Sequence, residues 1–155
     1  MSQVKTINGQ LTLDQSTRIA ILCGRFNAFV VEQLEAGCID MLMRHGAVET
    51  DLTVIKVPGA FEMPVVAKKV AESGDYDVII GLGAVIRGGT PHFEHVAGAC
   101  SRGLSTVATD TGVPVIFGVQ TTYTTDQAYA RIGHASGYAE ASVEMANLLR
   151  TLNDA

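Results

Sequence analysis

Tryptophan is absent from this 155-residue chain, and aromatic residues make up only 6% of it. Any core must therefore be mainly aliphatic, and the 47% hydrophobic content is ample for one. Basic residues are in deficit, 11 Lys and Arg against 16 Asp and Glu, for a formal net charge of -5. A nucleic acid or an anionic membrane surface favours a basic patch, so this balance argues against both as main partners. A small molecule or another protein fits better. No stretch approaches the roughly 20 consecutive apolar residues of a membrane span, and "MSQVKTINGQ" lacks the apolar core of a signal peptide. A cytoplasmic protein is expected. Cys23, Cys38 and Cys100 are widely spaced, odd in number and form no CxxC pair, so buried free thiols are expected. No His or Cys spacing resembles a zinc site.

Apolar patterning is abundant. "RIAILC" (18 to 23) suits a strand buried on both faces. The following "AFVVEQLEAGCIDMLMRHG" places Val31, Leu34, Cys38, Met41 and Leu42 at helical spacing, with Gly46 as a stop. The pattern repeats with a strand over 51 to 57 and a helix ending near Gly74. A strand over 77 to 83 then precedes a helix with Val96, Cys100, Gly103, Leu104 and Val107 on one stripe. A fourth strand over 113 to 119 and two helical segments, "TDQAYARI" and "YAEASVEMANLLRTL", complete the chain. No linker or repeat divides it, so 1–155 reads as a single domain with a polar segment over 1–14. Alternating strands and helices predict an α/β fold: a flavodoxin-like three-layer sandwich with a four-stranded parallel sheet in the order 2-1-3-4.

Ligands of such sheets bind beyond the carboxyl ends of the strands. Four segments gather there: "GRFN" (24 to 27), "PGAFE" (58 to 62), "AVIRGGTPH" (84 to 92) and "GVQTT" (118 to 122). Phe26 fits no periodicity and is either a hydrophobic staple on the next helix or a stacking platform for a planar ring. Gly59 permits a sharp turn, and Glu62 is either a helix-dipole complement or an acceptor for ligand hydroxyls. In "RGGTPH" the glycines free the backbone, Thr90 is a suitable N-cap and Pro91 fits the first helical position. The turn suits a phosphate or oxyanion, with Arg87 either a phosphate partner or a surface charge. It matches neither a Walker loop nor GxGxxG. His92 falls in the first helical turn, where positive charge is disfavoured and a neutral imidazole can accept a proton. His95 is a weaker rival.

"GRFNAFVVEQLEAGCIDML", "VPGAFEMPVVAKKV", "GAVIRGGTPHFEHVAG", "VPVIFGVQTT" and "EMANLL" occur in order over about residues 15 to 150. Together they resemble the lumazine synthase family of the riboflavin pathway. The resemblance implies condensation of 5-amino-6-(ribitylamino)uracil with 3,4-dihydroxy-2-butanone 4-phosphate, with no metal or organic cofactor. It implies that Phe26 stacks on the pyrimidine beside Asn27, and that Ala60 and Glu62, in the segment with Gly59 and Phe61, face the ribityl chain. The backbone at Val85 and Ile86 would read the uracil edge. Gly89 and Thr90 would bind phosphate, His92 would transfer protons and Arg131 would hold the substrate phosphate. Phe117 would come from a neighbouring subunit of a pentamer, and some members build pentamers into an icosahedral shell. Riboflavin synthase is a further partner consistent with the resemblance, and 1–14 would add a strand at a subunit interface. One region departs: "RIGHASGYAEASVEMANLL" lacks the lysines that usually follow the arginine and is several residues shorter. A flavin- or lumazine-binding paralogue without turnover, or a mainly structural shell protein, are the competing expectations.

Overall fold

Strand β1 (Ile19–Gly24) is buried along its whole length because it pairs on both sides, with β2 (Leu52–Val57) and β3 (Val78–Ile86). The computed structural model describes residues 3–154 and places β4 (Val115–Thr122) beyond β3. All pairings are parallel and the sheet order is β2-β1-β3-β4, as the sequence predicts. Successive side chains of a strand point to opposite faces. Ile19, Ile21 and Cys23 accordingly join Ile80 and Leu82 against helices α1 (Ala28–Arg44) and α5 (Ala135–Asn153), with Ala128 of short α4 (Thr125–Ala130) alongside. Ala20, Leu22 and Ile79 face the other way, against α2 (Met63–Glu72) and α3 (His92–Thr111). This is the expected three-layer α/β/α sandwich.

The α1 stripe is Val30, Val31, Leu34, Cys38 and Leu42, all buried, with Met41 at its margin. Removing one such side chain, as in Leu34→Ala, costs about 2–5 kcal/mol through lost burial and the cavity left behind. The three cysteines are buried and unpaired. Burial pushes the Cys23 and Cys38 thiols up to about 12 and Cys100 to about 11, with Glu35 adding to the effect at Cys23. They remain neutral core thiols at pH 7.

The ends of β3 and β4 differ from expectation. The segment "GVQTT" is not a loop: β3 and β4 stay in register from Ile79↔Val115 to Ile86↔Thr122, beyond the last β1 pairing at Cys23↔Leu82. The long ladder satisfies backbone groups that a loop would leave without partners. The N-terminal segment forms no strand among its described residues, Met1 and Ser2 lying outside them. Within its own chain it runs as a strap over α1 and α5. Asn147 donates to the carbonyls of Gln10 (2.7 Å) and Thr12 (3.1 Å), Leu13 N–H donates to His45 O (2.8 Å), and His45 Nδ1 donates to Leu11 O (2.6 Å). Among the described residues no helix is long and apolar enough to cross a membrane.

Candidate active site

Beyond the carboxyl ends of β1, β2 and β3 lies a cleft of about 650 Å³. Phe26 and Asn27 line it from the loop after β1, and Gly59, Ala60, Phe61 and Glu62 from the turn after β2. Ala84, Val85 and Ile86 form its floor at the end of β3, and Gly88, Thr90, His92, Phe93, His95 and Val96 close it from the start of α3. Its volume and mixture of apolar surface with a few polar groups suit a small organic ligand.

Local backbone devices build this rim. Asn27 is the sole described non-glycine residue in the left-handed region, at φ 59 and ψ 45. Asparagine tolerates that conformation better than most residues. Its side chain leaves the α1 terminus uncapped and donates instead to Ala84 O (2.8 Å), tying the β1 loop to β3. The preceding Phe26 is 73% exposed, so it is not a staple buried against α1; its ring projects over Gly59. Gly59 itself is extended, at φ -160 and ψ -178, which corrects the expected sharp turn. A Cβ there would lie 3.1 Å from Phe26 Cδ2, so glycine provides room for the ring rather than unusual dihedrals. Ala60–Glu62 then form one 3₁₀ turn, which leads into α2 with a proline at its start.

The glycines of the "RGGTPH" turn do not take the backbone shapes expected of them. Neither Gly88 nor Gly89 has a positive φ, and a Cβ on either would meet nothing within 4 Å. The turn presents bare backbone on an open side. Helix α3 begins at His92, one residue later than expected, and Thr90 Oγ1 accepts from His92 N–H at 3.4 Å. His92 is exposed in this first turn, where the helix dipole favours an anion. Arg87 does not reach into the cleft. Its guanidinium carbon sits 5.4 Å from the centroid of Tyr123, which in turn packs on Phe93. Arg87, Gly89 and Thr90 line an adjoining hollow of about 420 Å³.

Ten of the expected site residues thus meet in one cleft, and Gly89 lines the hollow beside it. Phe117 and Arg131 line neither. Phe117 is exposed on the edge strand β4, and Arg131 follows α4 with Nη1 donating to Gln127 O (3.0 Å). Ala84, Gly88, Phe93 and Val96 line the cleft but are not among the site residues expected from sequence. Val96 carries a sequence signal, since it stands four places after His92 on the same helix, and Phe93 stands three before Val96. Among the described residues, no group of three His, Cys, Asp or Glu side chains could hold a metal ion.

Residues 16–150 match the family described as 6,7-dimethyl-8-ribityllumazine synthase. The chain belongs to that family. Lumazine synthases are transferases of riboflavin biosynthesis, and the matched span contains every loop that lines the cleft. The matched span takes in all four strands of the sheet and reaches into α5.

Proposed function

We propose that the chain condenses 5-amino-6-(ribitylamino)uracil with 3,4-dihydroxy-2-butanone 4-phosphate to 6,7-dimethyl-8-ribityllumazine in the cytoplasm, at sites shared between subunits of a pentamer or pentamer-based assembly. The observation that carries this reading is the convergence of an exposed ring, a carboxylate, a histidine and an open glycine turn in one cleft. Phe26 offers its face to the pyrimidine, and the backbone at Val85 and Ile86 offers donors and acceptors to the uracil edge. Ala60 and Glu62 face the ribityl chain, with the Glu62 carboxylate accepting from hydroxyls. Gly89, Thr90 and the start of α3 receive the phosphate.

The pyrimidine amine attacks the butanone carbonyl, and loss of water leaves a Schiff base. Proton removal at carbon then drives cleavage of the C–O bond to phosphate, whose oxygen takes the bonding electron pair. The resulting enol gains a proton at carbon, and the ribitylamino nitrogen closes the ring onto the second carbonyl with a further loss of water. Each step moves protons, and His92 stands beside the anion-binding turn to carry them. Holding the two substrates in reacting geometry supplies much of the remaining acceleration. No covalent enzyme intermediate is needed.

Phe117 and Arg131 lie outside the cleft of their own chain, which supports a shared site: a neighbouring copy brings both to it. The deciding experiment is turnover with both substrates, followed by product absorbance and fluorescence against the uncatalysed reaction. Acceleration that saturates in the butanone phosphate is expected. Well-folded oligomer that binds the pyrimidine without accelerating the reaction would instead identify a binding paralogue, the reading favoured by the missing lysines. Light scattering separates a pentamer from a decamer or a shell.

A further inference from the structure

Arg131 presents an exposed guanidinium, but its main chain is held from the sheet. Gln120 on β4 is 4% exposed, and its amide nitrogen lies 2.6 Å from the Tyr138 hydroxyl and 3.5 Å from the carbonyl of Arg131. One amide group carries two N–H donors, enough for both acceptors. The Arg131 carbonyl also accepts from His134 N–H (3.0 Å), and its own N–H donates to Ala128 O (3.2 Å). Tyr138 stands in the first turn of α5 and is half-buried. Its ring enters a slot opened by Gly118, where a Cβ would come within 2.9 Å of Tyr138 Cδ2. A glycine on β4, a glutamine two residues on and a tyrosine on α5 therefore meet at the backbone from which Arg131 projects.

We propose that Tyr138, acting through Gln120, is a positioning residue that sets where Arg131 presents its guanidinium to a substrate phosphate. This rests on the reading above that Arg131 binds phosphate. A buried amide that keeps its hydroxyl partner is confined to one rotamer, and that rotamer places its second N–H toward the Arg131 carbonyl. Without the hydroxyl the amide is free to turn, and the short connection between α4 and α5 loses its tie to the sheet. The ring alone preserves the packing against Gly118, so Tyr138→Phe removes the tie while keeping the shape.

The test measures, on the full-length assembled protein, the Kd for inorganic phosphate by calorimetry and the KM for the butanone phosphate. Tyr138→Phe is expected to raise both by about 2- to 10-fold, the range that one lost neutral hydrogen bond commands. The KM for the pyrimidine and kcat should stay within about twofold, because the cleft is lined by other loops. The same change made in an Arg131→Ala background should add nothing. Gln120→Met reports on the same tie and serves if Tyr138→Phe does not fold. Unchanged phosphate constants in Tyr138→Phe, with raised constants in Arg131→Ala, overturn the positioning role and leave the Arg131 reading intact. An effect of Tyr138→Phe that persists without Arg131 overturns it as well. If Arg131→Ala itself leaves both constants unchanged, the phosphate reading fails and the positioning role falls with it.

Discussion

On the cleft side, Asn27 reaches a neighbouring strand with one hydrogen bond to Ala84 O, and Phe26, Gly59 and the glycine turn follow within a few residues of strand ends. At the corner of β4, α4 and α5 the ties run from an edge strand to a helix: Gln120 meets the Tyr138 hydroxyl, and Gly118 makes room for the same ring. The cleft rim is thus assembled from strand-to-helix loops that any chain of this topology brings together. The corner depends on how a short connection between two helices docks on an edge strand. Chemistry that must tolerate no displacement suits the first; under the proposed shared site, the second carries the group that serves another copy.

The sharpest way to break this comparison is at His92, the proposed proton carrier. His92→Ala should lower kcat by about 10²–10⁴, with little change in binding of a substrate-like pyrimidine; turnover at the unmodified rate would exclude His92 as the base. Gly118→Val tests the corner by stability. Its added carbons meet Gly81 O and Leu82 Cδ2 at 2.7 Å as well as the Tyr138 ring, and a loss of about 1–3 kcal/mol is expected in denaturant melts. Asn27→Ala tests the rim. Losing the bond to Ala84 and placing alanine in the left-handed region should cost about 2 kcal/mol, and Asn27→Gly should recover the backbone part; equal losses in both would mean the conformation carries no strain. The smallest effect is expected at Phe117. Phe117→Ala, on an exposed side chain, should change stability by no more than about 0.5 kcal/mol, yet lower turnover most in dilute solution, where assembly is weakest. Activity independent of concentration would place the ring outside any shared site.

The rim was legible in the sequence and the corner was not. Continuous apolar runs gave β1 and the register of the α1 stripe, because burial on both faces leaves few alternatives. The loops then followed from the α/β alternation, and His92 from a threonine and proline at a helix start. The ends of β3 and β4 were misplaced because "GAVI" and "GVQTT" look alike as strand or loop until each has the other to pair with. Periodicity did not single out Arg131, which came from the family resemblance alone. Gln120 and Tyr138 carried no local signal either, since a polar residue in a strand and an aromatic one in a helix acquire meaning only once the two elements touch.

The strap over residues 9–13 has a consequence for the order in which the chain is made. Its anchors span nearly the whole sequence, with 137 positions separating Gln10 from Asn147. Gly9 lies so close to the carbonyl of Glu144 that a Cβ there has no room. During synthesis this segment can therefore dock first on the end of α1, through Leu13 and His45, and gains its second anchor only when α5 has left the exit tunnel. Until then the strap is held at its α1 end alone. This stretch is where a nascent-chain chaperone would find its longest-lived target.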